Sequence, residues 1–470
     1  MADENIGKAQ TGKPVKGQKI IHDLTTGSVP KTLITFALPL LASGFLQMVY
    51  NMVDMVVVGR FVGTEGLSAV AIGGEVLQLI TFIAMGFSNA GQVLLSRYVG
   101  EERHDRIGHM VGTMFTLLMG LAVVITIIML AAYQPILHWL NTPAEIYTYT
   151  RQYSLICVLG IVFIYGYNMV SAILRGMGDS RHPFIFIALA SVINIILDLL
   201  FVGPMKMGPA GAALATIIGQ AVSFIFAISL LYRNRAQIHF DFKPRSFRLY
   251  KEEIGVLLPL GIPMVIQSAA VTFSMLFVNS YINTYGTTAV AVTGIARKIE
   301  MMVNVIAQAV TPAAAAMISQ ALGAGKTKRV PQVMLTALWI LAIPSAIFAV
   351  ITIFWPQLLF GLFSTDPAVM EMALSYIPVA LIQYLGCATR PAGFSLINGS
   401  ANPKMNLTVA ILDGIIGRIG LGLFLGIYLS WGIRGFWYGN AISGLLPFTI
   451  GFIYLLSGAW KKRASKPAVN

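Results

Sequence analysis

The sequence predicts an all-α polytopic membrane protein with twelve transmembrane helices in two parallel six-helix repeats. Three observations carry that reading. Hydrophobic residues make up 56% of the 470 and charged residues only 11%, with a mean hydropathy of +0.76, whereas an ordinary soluble domain carries roughly 25% charge. Apolar windows of about 20 residues, enough to cross a hydrocarbon core about 30 Å thick, occur twelve times. The first half of the chain also recurs in the second.

The windows lie near 32–58, 66–96, 108–132, 146–172, 183–203 and 208–232, and then near 254–282, 287–319, 331–354, 370–397, 405–429 and 433–457. The first apolar run is about twice as long as a signal h-region, so no cleavable signal peptide is expected. Residues 1–30 read as a polar cytoplasmic segment, 31–232 as a first lobe, 233–253 as a linker, 254–457 as a second lobe and 458–470 as a basic tail.

Charge sets the expected orientation. Lys13, Lys16, Lys19 and Lys31 precede the first window, and the connections after even-numbered windows are rich in Lys and Arg, as is the tail with Lys461, Lys462, Arg463 and Lys466. The opposite side holds only Arg60, Arg151, Lys206 and Arg434. By the positive-inside rule both termini are expected on the cytoplasmic side. The same asymmetry accounts for the net charge of +13; the basic residues are scattered over turns and form no single face, which excludes nucleic acid as a partner. Cys157 and Cys387 both fall in apolar windows and are too few for a disulfide framework or a metal cage.

The duplication has a spacing of about 220 residues. Leu38-Pro39-Leu40, Gln47, Gly66, Ala69-Val70-Ala71 and Gly74 recur as Leu258-Pro259-Leu260, Gln267, Gly286, Ala289-Val290-Ala291 and Gly294, at offset 220. Ser96, Gly100 and Arg106 recur at offset 223 as Ser319, Gly323 and Arg329, and Gly208 and Gly211 at offset 224 as Gly432 and Gly435. Each copy holds an even number of windows, so both enter the membrane from the same side and the repeats are parallel. No connection is long enough for a nucleotide-binding domain and no GxxxxGK[ST] loop occurs, so ATP is not the expected driver. A secondary transporter of two lobes is.

Asp54 is the one charge in the first window. A carboxylate in hydrocarbon costs roughly 2.5–3.5 kcal/mol even on the lenient insertion scale, so it calls for a partner, a proton or a cation. Asn194 and Asp198 are four apart and share a helix face. Counting at about 1.5 Å per residue puts Asp54, Asp198 and Thr216 in the outer half, with Asn194 about 6 Å deeper than Asp198. Two neighbouring carboxylates repel, and so favour holding a proton or a hard cation such as sodium. Pro39 removes a backbone hydrogen bond and kinks the first helix, either as a static bend or as the point where ion occupancy biases it.

The run YNMVDMVVVG in the first window, the turn RGMGDSRHP after the fourth, the pair Asn194 and Asp198, and GPAGAALAT before the sixth stand in a characteristic order. Together they resemble the multidrug and toxic compound extrusion (MATE) family, and within it the bacterial DinF-like branch, from about Asp23 to Leu456. The resemblance implies a V-shaped two-lobe transporter, working as a monomer in the lipid bilayer, that exports small-molecule drugs or amphipathic, often cationic compounds by proton- or sodium-coupled antiport. It implies no enzyme activity and no cofactor beyond the coupling H+ or Na+. It places the ion site in the first lobe at Asp54, Asn194, Asp198 and Thr216, with Gln47, Tyr153 and Asn168 as neighbours; sodium, if used, binds at the first four.

The second lobe departs from this pattern. Ser274 stands where Asp54 would be, and Arg418 and Gly422 replace Asn194 and Asp198. A cation site of the same kind is not expected there. Arg297 and Glu300, three apart, are expected to pair with each other, while Asp413, Arg418, Arg390 and Lys298 pair across helices or line the cavity, Asp413 or Glu300 being a second candidate titrating group. The alternative function is a lipid-linked precursor flippase of the same superfamily, which would need basic residues along its cavity to meet phosphates, and often additional spans. An integral-membrane enzyme or channel would need a cluster of catalytic spacing, and His138 is the only histidine near an outer window end.

Overall fold

The computed structural model describes residues 20–139 and 142–463; Lys13, Lys16, Lys19 and Lys466 lie outside the described residues. Eleven helices among the described residues are long and apolar enough to cross a bilayer. In the first half they are span 1 (Val29–Val62), span 2 (Thr64–Gly100), span 3 (His104–Trp139), span 5 (Arg181–Val202) and span 6 (Pro209–Arg233). In the second half they are span 7 (Lys251–Tyr285), span 8 (Thr287–Gly323), span 9 (Arg329–Phe354), span 10 (Pro367–Gly399), span 11 (Pro403–Tyr428) and span 12 (Ile433–Ser457). Ala144–Leu159 and Ile161–Gly176, bent by 48° about Gly160, together make span 4. Most helices overrun the apolar windows by several residues, because backbone hydrogen bonding continues past the hydrocarbon edge.

The outer surface is apolar. Ile127 and Ile343 are each 62% exposed and Trp339 70%, far more exposed hydrocarbon than water tolerates at about 25 cal/mol per Å². Lipid is the solvent these faces fit.

Two lobes of six spans meet at the end of the bundle where the Lys- and Arg-rich turns lie, termed here the basic end. Spans 1 and 7 each straddle the seam. The first half of span 1, with Leu33, Phe36 and Ala37, is buried among spans 8 and 9 of the second lobe, while its second half, with Val57 and Val58, packs in its own lobe beside Tyr153, Val202 and Ala212. Span 7 mirrors this: Leu257, Leu260 and Met264 belong to the first lobe's core, and Gly414 of span 11 closes on Ala270 further along. Pro39 sits between the two packed halves of span 1, inside an unbroken helix.

The repeat recurs in the packing. A methyl added at Gly176 would lie 2.9 Å from the Gln92 carbonyl oxygen, and one at Gly399 would lie 2.8 Å from that of Ala315. Spans 2 and 8 cross at the basic end through the matched pair Gly100 and Gly323. An added Cβ at Gly100 would stand 2.1 Å from the Gln320 oxygen, and one at Gly323 would stand 2.3 Å from the Arg97 oxygen. Only hydrogen fits between these backbones.

Two further links close the same end. Residues 20–27 form an irregular strap across it. His22 N–H donates to the Met177 carbonyl at 2.8 Å and Ile20 N–H to Gln237 Oε1 at 3.1 Å. Gln320 of span 8 grips the strap by accepting from Leu24 N–H at 2.5 Å and donating to the His22 carbonyl at 3.0 Å. Arg329 donates to the Gly27 carbonyl at 2.9 Å. Gly178, at φ +85°, turns under the strap where a Cβ would meet the His22 oxygen at 2.7 Å, so both its conformation and its clearance require glycine. Asp23 accepts from the Thr25 amide at 2.7 Å and hydroxyl at 2.6 Å. Partial burial works against the Asp23 charge, but these bonds and nearby Lys326 outweigh it and hold its carboxyl below the usual range.

The second link is a polar latch between lobes. Tyr98 of span 2 donates to Glu253 at 2.7 Å, and Arg106 of span 3 reaches Glu253 at 3.1 Å and also pairs with Glu252. Arg106 and Arg329, matched by the repeat, thus do different work at one end. The linker is folded against span 3: Phe240, Phe242 and Phe247 cluster on Phe115, and an added Cβ at Gly112 would meet the Ser246 oxygen at 2.2 Å.

Span 11 departs from α geometry. It runs as a π-helix over Ala410–Leu421 and Phe424–Tyr428, a rare form with i→i+5 bonding.

Candidate functional site

Asp54 on span 1 and Asp198 on span 5 face each other within reach of a shared proton. Asp54 is 6% exposed, Asp198 0% and Asn194 3%. No donor among the described residues meets Oδ1 of Asp54, either carboxyl oxygen of Asp198 or Oδ1 of Asn194. Asn194 instead donates its amide to the Thr216 hydroxyl at 3.3 Å, which leaves its oxygen free. All these atoms are acceptors, buried and unmet, and such groups cost about 1–3 kcal/mol each when left unsatisfied, more when charged. A proton or an oxygen-seeking cation is what the arrangement lacks chemically.

Local sequence explains the close packing. Asn194 and Asp198 sit one turn apart on one face of span 5, and Gly219 of span 6 packs against that helix, where an added Cβ would lie 3.1 Å from the Ala190 carbonyl oxygen. Tyr153 of span 4 is buried beside Cys157 and Asp54, its ring seated against Gly73, whose added Cβ would meet it at 2.4 Å. Tyr50 also belongs here, with Asp54 and Gln220 beside it. It lies one turn before Asp54, and that i−4 spacing was the available signal for it. Gln47 donates to the Tyr50 hydroxyl at 3.4 Å, while its other contacts are with the central cavity. Asn168 is not brought to the carboxylates: it donates to the Ile164 carbonyl of its own helix at 2.8 Å and lines the cavity.

That cavity, about 660 Å³, lies between the lobes. Its wall mixes apolar side chains such as Met264, Met301 and Phe394 with Arg175, Arg297, Glu300 and Arg390. The expected pair of Arg297 with Glu300 does not form. Glu300 instead accepts from Gln383 of span 10 and from Asn304 one turn on, at 3.4 Å, so both its oxygens are engaged by amides and Arg297 makes no ion pair among the described residues. Asp413, fully buried, holds Arg390 at 2.7 Å and Arg418 at 3.5 Å, and Arg418 donates to Asn440 at 2.5 Å. The π-helix brings Asp413 and Arg418 together, since residues five apart lie one turn apart there, whereas α geometry would splay them. Ser274, the counterpart of Asp54, donates to the Gly414 carbonyl of span 11, so spans 7 and 11 dock without a carboxylate pair.

The MatE family model matches this chain twice, over residues 39–200 and 263–421, which is more than half its length and one match per repeat. The chain belongs to the MatE family. It is a multi-pass membrane transporter and not an enzyme. The probable multidrug resistance protein YpnP of Bacillus subtilis (strain 168) is 27% identical over 94% of this chain and 98% of its own. A second protein of that strain, the probable multidrug resistance protein YoeA, is 26% identical over 93% of this chain and 95% of its own. Among solved structures, the outward-facing conformation of a multidrug resistance MATE family transporter of the MOP superfamily superposes with a TM-score of 0.85, at 23% identity, over 97% of this chain and 99% of that one. The MatE fold accounts for the two parallel repeats and the lobes around one cavity.

Proposed function

We propose that this MatE transporter, of the DinF-like branch, exports amphipathic small molecules by antiport against protons or sodium bound at Asp54, Asn194, Asp198 and Thr216. The observation that carries the reading is the pair of buried carboxylates, three of whose oxygens, Asp54 Oδ1 and both of Asp198, are buried with no donor among the described residues. The relatives' names, as multidrug resistance proteins, support drugs as cargo. The one-sided distribution of Lys and Arg supports a bacterial inner-membrane protein with its termini inside, and a complete cavity within one chain supports action as a monomer with lobes over 31–232 and 254–457, joined by 233–253.

In this reading a proton or sodium ion entering from outside offsets one charge of the pair, relieves its repulsion and draws the second half of span 1 toward span 5. The first half of span 1 is packed on the second lobe, so a shift at Asp54 pulls across the seam, and Pro39, lacking its backbone donor, is where the helix yields. Release of the ion inside restores the repulsion and resets the lobes. A ligand moves such an equilibrium only by its differential affinity for the two states, and the unmet acceptors supply that difference.

The test is gradient-driven rhodamine 123 efflux in proteoliposomes, with an inward pH or sodium gradient imposed separately. Asp54→Asn and Asp198→Asn are each expected to lower efflux at least about tenfold, a loss of roughly 1.4 kcal/mol of coupling. Wild-type rates in both variants would sink the proposal.

A further inference from the structure

The central cavity carries more positive charge than its own residues neutralise. Four guanidiniums, Arg175, Arg297, Arg390 and Arg418, stand in or directly behind its wall against two carboxylates, Glu300 and Asp413, among the described residues. Asp413 is shared by Arg390 and Arg418. Glu300 is taken up by the amides of Gln383 and Asn304. Among the described residues, Arg175 donates to the Gln92 amide oxygen at 2.7 Å and pairs with no acid, and Arg297 has no acid within ion-pair distance. The Nε groups of Arg390 and Arg418 are buried and meet no acceptor. The wall is thus short of acceptors, the reverse of the Asp54 site, which is short of donors.

Uncompensated guanidiniums in the membrane interior are costly and mark pathways for charged cargo. Arg presents a planar fork of donors that suits carboxylate, sulfate or phosphate oxygens. The surrounding Met264, Met275, Met301 and Phe394 offer an adaptable apolar bed for the rest of such a molecule.

We infer that the cavity binds amphiphiles bearing an anionic group, held by Arg297 and Arg390 with Arg175 facing from the other lobe. The inference deepens the transporter reading above by giving its substrate class a sign. It also meets one of the two features expected of a lipid-linked precursor flippase, while the twelve spans do not supply the other. A free anionic amphiphile fits a cavity enclosed by both lobes.

Equilibrium binding to the purified full-length protein, with no gradient, tests it through two dyes of shared xanthene core and opposite charge, carboxyfluorescein and rhodamine 123. Carboxyfluorescein is expected to bind the wild type at least about tenfold more tightly. Arg297→Gln, which breaks no ion pair, is expected to weaken it about tenfold to a hundredfold, the worth of a hydrogen bond to a charged group, and to leave rhodamine 123 unaffected. Glu300→Gln is expected to tighten carboxyfluorescein. Short-chain phosphatidylglycerol as competitor separates the sources: no displacement assigns the site to a free amphiphile, and displacement that phosphatidylcholine does not reproduce assigns it to a lipid headgroup, the anion site standing in both. Equal affinity for the two dyes, or an Arg297→Gln protein that binds carboxyfluorescein like the wild type, overturns the inference. Absence of gradient-driven efflux of both dyes would instead sink the antiport reading and leave this binding result in place.

Discussion

Asp54 and Ser274 stand at the same position of the two repeats. Asp54 faces another acid on span 5, and Ser274 donates to the backbone of span 11 at Gly414. Helix docking therefore needs no acid at this position, and the carboxylate pair is an addition to the fold. Ser274→Ala is expected to cost about 0.5–1.5 kcal/mol of stability, the net worth of one hydrogen bond, seen as a lower melting temperature in detergent, with coupled efflux retained. If Ser274→Ala lost coupling as Asp54→Asn is expected to, the second lobe would hold an ion function of its own. Asp54, Asn194 and Asp198 were legible in the sequence, because charges and amides are conspicuous in apolar windows and helix periodicity gives their faces, whereas Thr216 entered only through the family resemblance. Arg297 was legible as a charge, but its freedom from Glu300 was not, since Gln383 comes from span 10, 83 residues away.

At the scale of elements, the strap over residues 20–27 and the π-helical span 11 are what the sequence left unread. The strap holds through backbone groups that any residue supplies, gripped by Gln320 and Arg329. It fastens span 8 of the second lobe to the turn after span 4 in the first, so its loss frees the basic end to open. With spin labels at Arg181→Cys and Lys404→Cys, on the corresponding turns of the two lobes, Gln320→Ala combined with Arg329→Ala is expected to add a longer inter-lobe distance. An unchanged distance distribution would show that the strap carries no closure. Asp23 keeps a lowered pKa in the strap, so its contribution is fully present above the ordinary Asp pKa and is lost only as pH falls through that lower value. Asp23 therefore stays charged from pH 5 to 8.

For the whole molecule, closure at the basic end depends on two backbones touching where spans 2 and 8 cross. Gly323→Leu forces a side chain against the Arg97 carbonyl, and backbone does not give way as a rotamer does. Overpacking of this kind costs about 1–3 kcal/mol, which would shift the population of the closed state roughly five- to 150-fold. Efflux is expected to fall by a comparable factor while the protein still folds and inserts, measured as turnover per correctly inserted molecule in proteoliposomes. Wild-type turnover would mean that the crossing is not part of the cycle.

The solvent, the twelve crossings, the parallel duplication and the acids of the first lobe could be read from the chain alone. Each of these is written in composition, in local periodicity or in a repeat that survives as matched residues. Three-dimensional packing settled which lobe each half of spans 1 and 7 packs against, that Glu300 turns to Gln383 instead of Arg297, and that Asp413 serves two arginines. Those outcomes rest on contacts between residues far apart in the chain, where shape and competition among partners choose one pairing from several that spacing allows.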